Sequence, residues 1–102
     1  MIPLIDQHRA ALDELCRRHH VKTLELFGSA VDGTFEPTRS DLDFLVEFLP
    51  VEPVVYADAY FDLVHGLEDL FHRSVDLLTV PSIRNPYLRK AIDQQRQVVY
   101  AT

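Results

Sequence analysis

This sequence is poor in the residues that build cross-linked or membrane-spanning proteins. It has one cysteine, no tryptophan and three glycines among its 102 residues. The single cysteine, Cys16, cannot form an internal disulfide, and a zinc ribbon needs more thiols than one. No apolar run approaches the roughly 20 residues that a membrane helix needs. The first residues, MIPLIDQHRA, lack the basic and apolar regions of a signal peptide. These absences exclude a disulfide-stapled scaffold and predict a cytoplasmic protein without membrane contact.

The composition is that of an ordinary globular protein, with 47% hydrophobic and 25% charged residues. We expect one domain over residues 1–102. Sixteen acids against ten bases give a net charge of −6, which argues against direct nucleic-acid binding. The segment from Ser82 to Thr102 has the opposite charge balance, with four bases against the single acid Asp93. That segment is either a solvated helix face or a docking surface for an acidic partner.

Hydrophobic periodicity and the positions of Gly and Pro predict alternating helices and strands. The predicted elements are a helix over Leu4–His20, a strand over Val21–Phe27, a loop over Gly28–Arg39, a strand over Asp41–Phe48, a helix over Val54–Phe71, a strand over Val75–Val80 and a helix over Tyr87–Gln95. The segment Val98–Tyr100 is open between strand and helix. This order predicts one α/β domain with helices packed on one face of a small sheet.

Two aspartates stand two residues apart where the second predicted strand begins. Asp41 and Asp43 point to the same face of an extended strand, and their neighbours Leu42 and Phe44 are apolar. Adjacent carboxylates repel each other unless a cation lies between them, and Mg²⁺ takes oxygen ligands of this kind. The pair is therefore either a metal site or two strand-end side chains that face water.

Asp76 interrupts the apolar third strand, where a charge is costly unless it has a partner or lies at the wet end of the sheet. If the second and third strands are neighbours, Asp76 joins Asp41 and Asp43. Three carboxylates would bind one or two metal ions and leave an acid able to accept a proton from an attacking hydroxyl. Gly28 and Ser29 end the first strand, where they suit either a bound phosphate or an ordinary turn.

Several segments together carry a resemblance to a known family: Gly28-Ser29, Ser40-Asp41-Leu42-Asp43, Val75-Asp76-Leu77, Asn85-Pro86-Tyr87-Leu88-Arg89 and Val98-Val99-Tyr100. They resemble the signature of the DNA polymerase β-like nucleotidyltransferase superfamily. The small size points to its minimal nucleotidyltransferase branch, and more narrowly to MntA-type antitoxins encoded beside a HEPN toxin. The resemblance covers most of the chain and implies the polymerase β-like fold, an α+β domain with a small mixed sheet.

The resemblance implies a role for each matching residue. It assigns nucleotide binding to Gly28, Ser29, Arg39 and Ser40. It assigns catalysis and two Mg²⁺ ions to Asp41, Asp43 and Asp76, the last of which also helps to activate the acceptor hydroxyl. The implied reaction transfers AMP from ATP to a tyrosine hydroxyl of a HEPN ribonuclease toxin, which the modification silences.

One departure from the family pattern concerns the phosphates. Many relatives place a base shortly after the Gly-Ser pair, where this chain has Asp32, so Arg39 or Lys22 would have to supply the charge. No residues remain for an acceptor-binding domain, and we therefore expect a partner protein to bring the acceptor. Two other functions stay open: a non-catalytic antitoxin that neutralises the HEPN toxin by binding alone, and a nucleotidyltransferase with a small-molecule acceptor.

The remaining candidates are interpreted as structural. The five histidines show no recognisable metal spacing, and His8 and His19 are expected to pack or to lie at an interface. Cys16 is expected to be a buried apolar side chain. Four aromatic residues at helical spacing belong either to the core or to an interface with HEPN helices: Tyr56, Tyr60, Phe61 and Phe71.

Overall fold

The helices and strands alternate along the chain as the periodicity predicts. The computed structural model describes residues 3–28, 41–79 and 85–102. Its elements in chain order are α1 (Pro3–Gln7), α2 (Arg9–Arg18), β1 (Val21–Phe27), β2 (Leu42–Phe48), α3 (Pro53–Phe71), β3 (Val75–Thr79), α4 (Pro86–Gln95) and β4 (Gln97–Ala101). The open segment Val98–Tyr100 is therefore part of a strand. No helix of the described ranges is both long and apolar enough to cross a membrane.

The predicted first helix is interrupted at His8. The ring Nδ1 of His8 lies 2.9 Å from the Leu4 carbonyl oxygen, which an uninterrupted α-helix would offer to the His8 backbone N–H. That N–H instead donates to the Ile5 carbonyl at 3.1 Å, a tighter turn. The interruption separates α1 from α2, so the prediction of one helix over Leu4–His20 was wrong at this residue.

The strands of the described residues form one sheet in the order β3-β2-β1-β4. β1 pairs with β2 and with β4 in antiparallel fashion, whereas β2 and β3 run parallel. The mixed sheet of an α+β domain is thus confirmed. β2 and β3 are neighbours, as the grouping of the carboxylates requires.

The larger core lies between one face of the sheet and the first three helices. Buried side chains of alternate strand residues meet buried side chains of α1, α2 and α3. Cys16 belongs to this core and is fully buried, as expected. Burial raises the pKa of its thiol to about 12, with the Asp13 carboxylate adding to the shift.

The other face of the sheet carries a smaller apolar cluster. Phe27, Leu45 and Leu78 come from β1, β2 and β3, and Ile92 comes from α4. The prediction of helices on one face therefore holds for α1, α2 and α3, whereas α4 contributes to the opposite face. Among the described side chains of α4, Ile92 is the apolar one in this cluster.

An ion-pair network fastens the end of α4 to this second face. Arg96 Nε lies 3.0 Å from Oε2 of Glu25, and Arg96 also reaches Asp93 at 3.4 Å. The Glu25 side chain is only 15% exposed. Arg89 lies 3.7 Å from Asp93 as well, so both arginines make intramolecular ion pairs. This supports the solvated-face interpretation of the basic segment, of which Arg84 lies outside the described residues.

We expect Arg96→Met to lower the free energy of unfolding by about 2 kcal/mol. The substitution leaves the Glu25 carboxylate largely buried without its cation, and the loss stays below the ~3–5 kcal/mol of a fully buried pair because Arg96 is partly exposed. Urea unfolding measures it. The control Arg89→Met removes an exposed ion pair and should cost less than about 1 kcal/mol. Equal losses in the two variants would contradict the structural role of Arg96.

Candidate functional site

Asp43 and Asp76 lie side by side on adjacent strands. The parallel register of β2 and β3 pairs Asp43 with Asp76. In both strands the flanking residues point into the larger core, so both aspartates point to the second face. Each is the second residue of its strand, which places the pair at one end of the sheet. Sequence reasoning predicted this juxtaposition on the condition that the two strands are neighbours, and the condition is met.

Gly28 follows β1 at the same end of the sheet and lies directly against Asp43. Phe27, the residue before it, is the register partner of Asp43. Gly28 has a φ of +75°, a left-handed conformation that favours glycine. A Cβ atom at this position would lie 2.3 Å from Oδ2 of Asp43. The absence of a side chain at Gly28 therefore makes room for the Asp43 carboxylate.

The two carboxylates share a hydrogen bond. The pKa of Asp43 is raised from 3.8 to about 6, first by burial and then by the hydrogen bond to Asp76 and the negative charges of Asp76 and Asp41. Asp43 is half-buried, whereas Asp41 and Asp76 are exposed. A raised pKa is expected for acids placed close together without a cation. A bound cation would lower the pKa of Asp43.

The donor set fits Mg²⁺, although the side chains are not arranged as a closed metal site. Among residues 3–28, 41–79 and 85–102, no group of three or more His, Cys, Asp or Glu side chains is placed to hold a metal ion. Asp43 and Asp76 nevertheless offer hard carboxylate oxygens, the ligands that Mg²⁺ prefers. Asp41 directly precedes β2, which begins at Leu42 and not at Asp41 as predicted, and it is close enough to act on the pKa of Asp43. The exposure of Asp41 and Asp76 leaves open positions for water and phosphate oxygens.

Three predicted nucleotide-binding residues, Ser29, Arg39 and Ser40, lie outside the described residues, and so does Asp32. Lys22 was the alternative source of a base at the phosphates, and that suggestion was wrong. Lys22 is near the start of β1, roughly 20 Å along the chain from Gly28 at the rise of an extended strand. Its ammonium pairs with Glu47 at 3.1 Å.

Two side chains beside the site escaped sequence reasoning. Tyr60 was interpreted as core or interface, and Glu68 was not singled out. Both come from α3 and hydrogen-bond the backbone of β3 next to Asp76. The spacing of residues in the sequence does not predict which helix side chains reach the free edge of a strand. Only the folded structure shows that Tyr60 and Glu68 do so.

The closeness of the Asp43 and Asp76 carboxylates predicts that the free energy of unfolding of the metal-free protein depends on pH. A folded pKa of about 6 means that the folded state binds the proton more tightly than the unfolded state does. The free energy of unfolding therefore falls as pH rises from about 4 to about 6 and levels off above that range. Asp43→Asn removes this fall. We expect the variant to exceed the wild type at pH 7.5 by about 1 kcal/mol, a value discounted for solvent screening.

Thermal unfolding without Mg²⁺ at pH 4 and pH 7.5 measures the difference. One kcal/mol corresponds to about 4–8 °C in Tm for a domain of this size. The advantage of Asp43→Asn should shrink at pH 4. A Tm difference that is the same at both pH values would show that the Asp43 charge is not the cause.

Comparison with known proteins places this arrangement in a family. The sequence matches the model of the nucleotidyltransferase domain over residues 8–99. A curated protein of Methanocaldococcus jannaschii, provisionally named a protein adenylyltransferase, is 33% identical over 91 residues, which cover 89% of this chain and 86% of that protein.

Solved structures share the fold. One provisionally described as a minimal nucleotidyltransferase superposes with a TM-score of 0.71 at 28% identity, covering 90% of this chain and 89% of that chain. A complex of a tri-AMPylated HEPN toxin from Shewanella oneidensis with an MNT antitoxin gives a TM-score of 0.63 at 19% identity, covering 96% of this chain and 73% of the matched one. At that identity the likeness shows the fold alone.

Proposed function

This chain belongs to the nucleotidyltransferase domain family and is a nucleotidyltransferase, and we propose that it transfers AMP from ATP to a tyrosine hydroxyl of a HEPN ribonuclease toxin in the cytoplasm. In this proposal the chain is the antitoxin and the reaction depends on Mg²⁺. Support for the acceptor comes from the structural neighbour whose HEPN toxin is tri-AMPylated. Support for AMP as the transferred group comes also from the curated relative's name.

The observation that carries the proposal is the in-register pair of Asp43 and Asp76. Burial of Asp43 beside the carboxylate of Asp76 disfavours its charged form in the apo protein and raises its pKa. Such groups cluster at functional sites, where a ligand compensates them. Gly28, which has no side chain, lies against Asp43 at this end of the sheet.

Each residue of the site would have its own role in the reaction. Asp41, Asp43 and Asp76 would hold two Mg²⁺ ions, which when bound stabilise the attacking and leaving oxygens of an in-line displacement. Gly28 would let the nucleotide phosphates approach the backbone, together with Ser29, Arg39 and Ser40. The tyrosine oxygen forms a bond to the α-phosphorus while the bond to the bridging oxygen breaks. Pyrophosphate leaves, and Asp76 helps to remove the hydroxyl proton.

The experiment is a transfer assay with ATP labelled at its α-phosphate and the HEPN protein encoded beside this chain. We expect label on the HEPN protein when Mg²⁺ is present and none when EDTA is added. Label released from ATP without the HEPN protein, into a small-molecule product, would favour the small-molecule acceptor. Label that requires neither Mg²⁺ nor this chain would contradict the proposal.

A second function, neutralisation by binding alone, is compatible with the exposed apolar side chains in the first half of α3. Val54, Val55 and Phe61 are exposed apolar side chains there, with Val54 73% and Phe61 62% exposed. Of the four aromatic residues singled out by spacing, Phe71 is buried, whereas Phe61 faces solvent. An exposed apolar helix face of this kind suits a protein partner whether or not catalysis occurs. Loss of silencing in a variant that still binds the toxin would exclude binding alone.

A further inference from the structure

We propose that Tyr60 and Glu68 are positioning residues, which fix the backbone of β3 on both sides of Asp76 and thereby hold the Asp76 carboxylate against Asp43. β3 is an outer strand of the sheet that residues 3–28, 41–79 and 85–102 form. An outer strand has backbone N–H and C=O groups that no neighbouring strand satisfies, so its position is less well determined than that of an inner strand. The inference rests on the proposed role of Asp76 in AMP transfer.

The backbone groups of β3 alternate between β2 and the free edge. The Leu42 N–H donates to the Ser74 carbonyl at 3.2 Å, so the groups of Ser74 face β2. Because the direction alternates along a strand, the groups of Asp76 also face β2, and those of Val75 and Leu77 face the free edge. The two residues that flank Asp76 therefore need partners from outside the sheet.

Both partners come from α3. The Tyr60 hydroxyl donates to the Leu77 carbonyl at 2.6 Å, and the Val75 N–H donates to Oε2 of Glu68 at 3.4 Å. The Tyr60 bond is at the short end of the range for a hydroxyl donor, and it is the stronger of the two. α3 is itself held by Ala59, Leu63 and Leu67 in the larger core. The backbone of β3 is thus tied to a fixed element immediately before and immediately after Asp76.

The consequence for the site is geometric. The Asp76 side chain is exposed and points to the second face, away from α3, so its position follows from that of its backbone. The register of Asp76 with Asp43 requires that β3 neither slides along β2 nor moves away from it. A misplacement of about 1 Å in a reacting constellation can cost 100-fold in rate. Tyr60 and Glu68 prevent such a displacement without contacting the substrate.

Amide hydrogen exchange tests the positioning directly, without nucleotide or metal. In Tyr60→Phe, which keeps the ring and removes the hydroxyl, we expect the Asp76 and Leu78 amides to exchange about tenfold faster than in the wild type. The amide of Leu24 in β1 should keep its rate. The control Tyr56→Phe removes a hydroxyl one turn earlier on α3 and should leave β3 unchanged.

A kinetic readout separates positioning from general stability. We expect Tyr60→Phe to lower kcat about tenfold and to change the KM for ATP by less than about twofold. Glu68→Leu should act in the same direction, whereas Glu68→Gln keeps an acceptor oxygen for the Val75 N–H and should restore the wild-type rate.

Two results would overturn the inference. Equal acceleration of exchange in β1 and β3 would show a loss of global stability, and unchanged exchange in β3 would show that the Tyr60 bond does not fix the strand. A wild-type chain that transfers no AMP would count against the proposed function, and the exchange rates of Asp76 and Leu78 would then decide the positioning alone.

Discussion

Asp43→Asn should lower the rate of AMP transfer by about 1,000-fold, the scale found when one group that stabilises transition-state charge is removed. Asparagine keeps the size of the side chain but loses the negative charge that holds a divalent cation. Asp43 pairs in register with Asp76 and is packed against Gly28, so its carboxylate lies next to both. Single-turnover kinetics with the HEPN protein measure the loss. The apo variant is expected to be folded and more stable than the wild type at neutral pH.

Glu47→Gln is the matched control for Asp43→Asn. Glu47 lies on the same strand but at its far end, where it pairs with Lys22 on the exposed surface. Loss of this charge should change the transfer rate by less than about twofold, because the pair is remote from Asp43 and weak. If both variants lost activity equally, the loss would follow from a change in net charge and not from the site.

Gly28→Ala should lower transfer by about 100-fold and destabilise the fold by about 1–2 kcal/mol. Two causes act together. The left-handed backbone at Gly28, with φ +75°, is unfavourable for alanine. The new Cβ would also lie 2.3 Å from Oδ2 of Asp43 and would push that carboxylate away from Asp76. Transfer kinetics and urea unfolding measure the two effects separately.

The control for Gly28→Ala is Gly66→Ala, which creates a clash far from the carboxylates. A Cβ at Gly66 would lie 2.6 Å from Cδ1 of Leu15, between α2 and α3. The Leu15 methyl group is the end of a flexible, partly exposed side chain that can move aside, and alanine is favoured over glycine inside a helix by up to about 1 kcal/mol, so Gly66→Ala should change the stability little. Only Gly28→Ala should lose transfer at a temperature where both are folded. Similar losses of activity in both would mean that the loss does not follow from the position of Asp43.

The sequence predicts the strands of this protein well because the residue types within each strand favour that structure. The β-branched and apolar run Val21–Phe27 ends at a glycine, and the structure gives β1 the same bounds. In the structure, the residues that flank Asp43 and Asp76 belong to the larger core, and both carboxylates point to the opposite face. Their meeting depended on one further condition, that β2 and β3 are neighbours, which the parallel register satisfies.

Specific contacts, both local and between distant segments, explain what the sequence could not predict. The break at His8 depends on a ring nitrogen that takes the Leu4 carbonyl, a competition that periodicity does not detect. Lys22 is a candidate for the missing base at the phosphates on charge alone, yet it lies at the other end of β1 from Gly28. The bond from Tyr60 to the free edge of β3 depends on how a helix packs on the sheet.

Intact mass of the HEPN protein tests the central claim most directly. The HEPN protein is incubated with ATP and Mg²⁺ and either the wild-type chain or an Asp41→Asn/Asp43→Asn variant. The account predicts a mass gain of one or more AMP units with the wild type and none with the variant, although both chains co-purify with the HEPN protein. An unchanged mass with the wild type, while the HEPN ribonuclease is still silenced, would contradict the account and show that binding alone neutralises the toxin.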